Sequence, residues 1–503
     1  MGSRHTALVA STLKRTRNVI SECTIAMASA LHIKIDRSAR TTLAEQIRAG
    51  VLAAISSGAL GPGARLPSWM ALAAQLGVSR GTVKSAYERL TDEQVIVSSR
   101  PGGTRVADHP PAGGGATTSR GHADPTAALY QHLLMGPATF QMGIPASDGF
   151  PKNLLGRLRA HAARAEVVGA AVYPDPRGEA ELRREIAAHL ALARGLECQP
   201  SQIFITAGFA GALGTTLSVL GLEGRRAWME NPGFFQSRRA LEFARLVPVP
   251  IPVDEDGIDV SLGIRNASDA ALVLVTPGQE APLGATLSLN RRIELLAWAE
   301  QAGAWVVEDD YLGELQLNRR AAPALASLDT SGRVIHIGSF SKTISPALRL
   351  GFVVVPRALV GQFAEAALCV GSAPGPAVQR AIAQFMREGH YMRHLRRMKR
   401  IYAARGEALR TELERKGYRV DIGGLAAVLH LPDDICDVDI ADRATARGLA
   451  PAALSPWFSP GTTPRSGLLL GVATVTEDQI APSCEQLHQL IEASSGKSRA
   501  GAR

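Results

Sequence analysis

The sequence predicts two folded units of different class: a small, mainly α unit that ends in a β hairpin, and a large α/β unit built on a mainly parallel sheet. Three observations carry this. The basic excess sits at one end, since residues 1–107 hold 14 Lys and Arg against 6 Asp and Glu, a net of +8, whereas the other 396 hold 41 against 40, a net of +1. The stretch "DHPPAGGGATTSRGHADPTA", Asp108 to Ala127, has almost no large apolar residue to bury and marks a flexible linker. Beyond it, short apolar runs alternate with helix-length segments, the pattern of a parallel sheet covered on both faces.

The composition bounds the function. At 503 residues, 46% apolar and 20% charged, the chain is long enough for two cores and reads as an ordinary soluble protein. No apolar run reaches the roughly 18 to 20 residues of a membrane span, so no membrane partner is expected. Residues 1–35 carry Arg4, Lys14, Arg15 and Arg17 ahead of a short apolar stretch, and read as a disordered extension rather than a leader. The five cysteines are scattered without paired spacing, which fits a reducing cytoplasm with neither a disulfide framework nor a metal site.

Within residues 36–107, Leu43, Ile47, Val51 and Ile55 recur at a spacing of four and form the apolar stripe of a first helix. "GALGPGARLPS" breaks it, and Ser68 caps a second helix that Gly77 ends. Ser79 caps a third, "RGTVKSAYERL", close enough behind the second to make a helix-turn-helix. "VIVSS", "RPGG" and "TRVA" then read as strand, turn and strand, which completes a winged helix-turn-helix. A helix so placed offers its N-terminal side chains to base edges in the major groove of double-stranded DNA, here Arg80, Thr82 and Lys84. Arg65 and the amides at the Ser68 cap suit phosphates.

The consecutive signals "PGARLPS", "LAAQLGVSRGTV", "AYERL" and "GGT" resemble those of the GntR family of bacterial regulators. That resemblance implies a DNA-binding unit over residues 36–107. Trp69 and Met70 depart from it, standing where the family commonly has a small polar residue and an arginine.

In the larger unit the apolar runs are "QIFIT", "RRAWME", "ALVLVT", "AWVVED", "RVIHIG" and "RLGFVVV". Ligands of such sheets bind beyond the carboxyl ends of the strands, so the chemistry should follow the runs. One ends in Glu308, Asp309, Asp310 and Tyr311; another leads to Lys342 in "SFSKTISPALRLG". A lysine at the end of a buried strand can lose enough solvation to act as a nucleophile toward an aldehyde. Ser339, Ser341 and Arg349 offer hydroxyls and a planar guanidinium to a phosphate. A ligand that needs an amine, a phosphate clamp and a carboxylate together is pyridoxal 5′-phosphate, whose ring nitrogen an Asp keeps protonated. Taken singly, Lys342 could be a solvated lysine and Asp309 a turn cap; together they point to a Schiff-base lysine.

From about residue 132 to 492 the chain resembles class I/II aminotransferases of fold type I, which implies an α/β domain with a smaller α+β C-terminal lobe. "SFSKTISPALRLG" looks like their S-x-S-K-x-x-x-P-x-x-R-x-G signature, so the resemblance implies Lys342 as the cofactor lysine and Arg349 as a phosphate ligand. By the same similarity Asp309 matches the ring-nitrogen partner, Tyr311 the donor to the phenolic oxygen, Phe234 the stacking aromatic and Gly208 the phosphate turn. Tyr173 in "YPDPRG" matches a tyrosine that reaches the neighbouring subunit's phosphate, which implies a homodimer.

A GntR-type unit at 36–107, a linker at 108–131, an aminotransferase-like unit at 132–492 and a tail at 493–503 is the layout of the MocR subfamily of transcription factors. The similarity implies a cytoplasmic regulator that senses pyridoxal phosphate, or a small amine or amino acid effector, through Lys342. The alternative is a working aminotransferase whose DNA-binding unit is incidental. Two departures bear on it: Ala281 stands where the enzymes carry an Asn before Pro-Thr-Gly, and Leu469 about where many carry the arginine for a substrate carboxylate. Both lead us to expect slow transamination or none.

Overall fold

The computed structural model describes residues 33–39, 41–99, 103–107, 137–168, 172–317, 322–371, 373–432 and 434–501. Most of the expected extension and the whole expected linker lie outside these residues. The chain divides into two compact units, Met1–His122 and Ala123–Arg503.

In the first unit, α1 (Leu43–Ser56) is followed by α2 (Trp69–Leu76), α3 (Arg80–Asp92) and a hairpin of β1 (Ile96–Ser99) and β2 (Gly103–Val106). Each helix starts at a capping hydroxyl: Thr42 accepts from the Glu45 amide, Ser68 from Ala71 and Ser79 from Thr82. The left-handed Gly77 (φ 63°) ends α2 and leaves one residue, Val78, before the next cap. Ile47, Val51, Leu72, Val83 and Leu90 are wholly buried in one core, and Tyr87 ties α3 to the turn before α2 through its hydroxyl and Pro67 O (3.0 Å).

The second unit is organised by an eight-stranded sheet. Its strands are β3 (Ile203–Thr206), β4 (Arg226–Asn231), β5 (Val247–Asp254), β6 (Gly257–Ile258), β7 (Leu272–Val275), β8 (Trp305–Asp310), β9 (Val334–Ser339) and β10 (Gly351–Val354), in the order β3-β10-β9-β8-β7-β4-β5-β6. The six runs expected as strands are all strands. Pairings among β4, β5, β7, β8 and β9 are parallel, but β10 runs antiparallel to both its neighbours. That orientation puts the start of β10, rather than its end, at the edge where β3, β8 and β9 finish.

Helices cover both faces, among them α4 (Lys152–Val168), α5 (Ala180–Arg194), α6 (Gly208–Leu220), α7 (Phe235–Phe243), α8 (Val260–Ala267), α9 (Leu289–Ala302), α10 (Val360–Cys369) and α11 (Pro376–Arg387). Then α12 (His390–Glu414) leads into a smaller lobe, a four-stranded sheet of order β11-β12-β14-β13 made by β11 (Val420–Gly423), β12 (Ala426–His430), β13 (Ala452–Ala453) and β14 (Gly467–Gly471). Helices α13 (Asp437–Thr445) and α14 (Glu477–Gly501) complete the lobe. The residues after 492, expected as a tail, continue α14 as far as Gly501. Among the described residues no helix is long and apolar enough to cross a membrane.

Candidate functional site

In the small unit, the N-terminus of α3 presents Arg80 exposed and Lys84 63% exposed, with a long contact from Lys84 to Glu88 at 3.7 Å. Thr82 is less free than expected, because its hydroxyl lies 2.7 Å from Ser79 Oγ, the atom that also caps the helix. Ser79 and Thr82 therefore shape the helix start that Arg80 leaves. Arg65 is exposed and bridges β2 at Arg105, and its guanidinium lies over Gly103, whose positive φ (77°) lets the hairpin turn beneath it. Ser68 caps α2, on which Trp69 and Met70 remain exposed.

In the large unit the three acids of "VVEDDY" separate by strand alternation. Glu308 and Asp310 share one side of β8: Glu308 accepts from the Leu325 and Ala326 amides and meets His336 Nδ1 at 3.0 Å, and Asp310 pairs with Arg194 at 2.8 Å. Both are satisfied structural charges. Asp309 points the other way. It is buried, and its Oδ1 has no hydrogen-bond partner among the described residues. Burial, with Asp310 and Glu230 nearby, pushes its carboxyl well above the usual range, against the pull of Lys342.

Lys342 follows β9, the strand beside β8. Its Nζ donates to Gly143 O at 2.7 Å, and desolvation pulls its pKa down to about 8, against the attraction of Asp309. The turn that carries it is held from α12, where the Tyr391 hydroxyl donates to Thr343 Oγ1 (3.2 Å) and His394 Nε2 lies 2.8 Å from Thr343 O. Ser339 and Ser341 are hydrogen bonded to each other at 3.0 Å.

Because Gly351 pairs with both Thr206 and Ser339, the residues just before β10 lie between the ends of β3 and β9. Arg349 is there, exposed and in a left-handed conformation (φ 48°). Gly208, with φ 73°, opens α6 beside it: a Cβ on Gly208 would lie 4.0 Å from the guanidinium carbon, and one on Gly351 would strike the Gly208 backbone at 2.9 Å. Ala207, at the N-cap of α6, makes no side-chain cap, so no side chain at that position competes with an anion for the first amides of the helix.

Tyr311 is partly buried, and desolvation together with Glu280 and Asp309 raises its hydroxyl pKa well above normal. Phe234 lies 5.9 Å from the Trp457 ring and 6.3 Å from Phe209. Tyr173 stands apart, 99% exposed. Lys342, Asp309, Tyr311, Ser339, Ser341, Arg349 and Gly208 are thus gathered at one sheet edge, and Tyr173 is left at the surface of the single chain.

Sequence reasoning missed Gly143, Trp457, Glu230 and Glu280. Glu230 is buried and accepts from Thr276 N (3.0 Å) and Oγ1 (2.6 Å); burial raises its pKa to about 7. Glu280 is buried with Oε1 unpartnered among the described residues, and burial and Glu230 raise it well above normal. No local motif announces these acids. A glutamate inside an otherwise apolar strand-end segment, as in "RAWMEN", was the available signal.

Aminotransferase class I and II matches residues 149–487, and the gntR family of bacterial regulatory proteins matches residues 43–106. The "Probable rhizopine catabolism regulatory protein MocR" of Rhizobium meliloti is 36% identical over 74% of this chain and 77% of its own length. The "HTH-type pyridoxine biosynthesis transcriptional regulator PdxR" of Corynebacterium glutamicum is 31% identical over 88% and 93%. Among solved structures, a kynurenine aminotransferase of Pyrococcus horikoshii superposes with a TM-score of 0.67 over 74% of this chain and 95% of its own, at 23% identity.

Proposed function

The chain belongs to the gntR-type regulators whose larger part is an aminotransferase class I and II domain, the family of the Rhizobium meliloti MocR protein, and from that premise we propose that it is a DNA-binding regulator whose large unit holds pyridoxal 5′-phosphate and senses it or a small amine or amino acid. The observation that carries the cofactor is Asp309 Oδ1, a buried atom without a partner among the described residues, on the same strand-end edge as a lysine whose pKa is pulled down to about 8. A protonated ring nitrogen gives Asp309 the donor it lacks and offsets its cost of burial.

Bound there, pyridoxal phosphate supplies an aldehyde that takes up amines and a ring that withdraws electrons. The chain supplies the rest. Lys342, half of it neutral near pH 8, is the nucleophile toward the aldehyde. Tyr311 stays protonated and donates to the phenolic oxygen, and Phe234 covers one ring face. Arg349, the uncapped amides of α6 at Gly208, Ser339 and Ser341 hold the phosphate. Tyr173, exposed on this chain, reaches the phosphate of a second copy, and the working form is a homodimer.

The gntR unit binds double-stranded DNA through Arg80 and Lys84 at base edges, with Arg65 and the Ser68 helix start on phosphates. Chromosomal DNA as partner places the protein in the cytoplasm. Turnover as an aminotransferase is slow or absent, since Ala281 removes a donor to the phenolic oxygen and Leu469 removes the carboxylate ligand. Borohydride reduction of purified chain with pyridoxal phosphate tests the cofactor reading: peptide mapping should find the label on Lys342 and none in Lys342→Ala. A label of equal extent in that variant would remove Lys342 from its role.

A further inference from the structure

The sensed molecule can be narrowed from the apolar surface beside Lys342. Lys342 Nζ touches Gly143 O, so an amine brought to this point meets the segment that carries Met142. Met142, Phe234 and Ala281, each partly open, pack on a buried cluster that includes Val428, Leu469 and Trp457. Leu469 is wholly buried, and in β14 it lies opposite Val428 of β12 and Ala452 of β13, so the three side chains share one face. The strand thus turns a leucine toward this wall.

Among the described residues that form this wall there is no cation to meet a carboxylate, which would lose its water against it. Arg465 is exposed, and Arg238 turns toward Phe458 O and Ser459 Oγ at 3.4 and 3.5 Å. An alkyl or aryl group, by contrast, gains burial there at no polar cost.

Resting on the reading of a cofactor-loaded sensor, we propose that the effector is a primary amine with an apolar substituent and no carboxylate on the amino carbon, an alkylamine or arylalkylamine, and that Leu469, Met142 and Ala281 set this choice.

The test uses the full chain loaded with pyridoxal phosphate, and two matched pairs: phenethylamine against phenylalanine, and 3-methylbutylamine against leucine. Absorbance of the loaded chain and affinity for operator DNA are both titrated. Each amine should half-saturate at a concentration lower than its amino acid by about tenfold or more. Leu469→Arg should reverse the order within each pair, and Ala281→Asn, at a partly open position, should narrow the gap should the buried arginine fail to fold. Equal or tighter binding of the amino acids to the native chain overturns the inference, and loss of that binding in Arg238→Gln would identify the carboxylate ligand instead. A chain that never shows bound-cofactor absorbance overturns the proposed function itself, and the inference with it.

Discussion

The two units put their functional groups in opposite surroundings. At the start of α3 the groups that count, Arg80 and Lys84, stand in solvent on a helix whose buried side is filled by Val83, Ala86, Tyr87 and Leu90. At the edge of the large sheet, Asp309, Glu230 and Glu280 are buried, and their protonation is displaced by the burial itself. A polyanion is met by exposed cations that act through released counterions. A buried site, by contrast, can hold a neutral lysine and a protonated carboxyl away from water. Substitutions at Arg80 and Lys84 should therefore change affinity without disturbing the fold, and one at Asp309 should change stability and affinity in opposite directions.

Asp309→Asn gives the sharpest form of this contrast. It removes a carboxyl whose folded pKa is raised, so the folded chain holds a proton that the unfolded chain releases above about pH 4. That term costs stability increasingly as pH rises from there toward the folded pKa. The cofactor-free variant should melt at or above the native temperature at pH 7, whereas cofactor affinity should fall by about 10- to 100-fold for a lost charged hydrogen bond. A variant that melted lower and kept its cofactor would break the distinction between the units.

On the exposed side, Arg80→Ala should cost about 1–3 kcal/mol of specific DNA binding, with melting unchanged. Electrophoretic titration at several salt concentrations measures this, and native affinity should fall steeply with salt. A flat salt response would contradict the polyanion reading.

The pH dependence of cofactor attachment separates the units again. With Lys342 titrating near 8 in the fold, its neutral fraction and hence the attachment rate should rise about tenfold per unit up to that pH and level off above it. The same depressed pKa makes the cofactor-free fold gain stability as pH rises from 8 toward the ordinary lysine value. Stopped-flow absorbance reads the rate, and a profile still climbing past pH 9 would place the lysine in water. The smallest effect belongs to the cap at the start of α3. Ser79→Ala should lower the stability of the small unit by about 1 kcal/mol, seen in its thermal unfolding.

Much of this was legible in the sequence, for physical reasons that also explain the gaps. Unbroken apolar runs gave six strands because a parallel sheet buries both faces. The caps at Ser68 and Ser79 and the stop at Gly77 are local chemistry, readable a few residues at a time. By contrast β5 was hidden by Pro248, Pro250 and Pro252, which normally argue against a strand. They fall at alternate positions of a strand paired along most of its length only with β4, and their missing amides face the other, open side. The direction of β10 was not legible because a short apolar run has no polarity. At the site, Lys342 and Asp309 were read from their place at strand ends, and Arg349 from the motif around Lys342. Gly143 and the pair Glu230 and Glu280 were not, since their place beside Lys342 and Tyr311 is created by contacts far apart in the chain.

A ligand can couple the buried group to the exposed one only by favouring one of two conformations. The most direct measurement is operator affinity with and without pyridoxal phosphate, made in parallel on the native chain and on Lys342→Ala. The cofactor should shift the native affinity and leave the variant's affinity unchanged. Equal shifts in both, or none in either while keto acids are produced rapidly from amino donors, would contradict it.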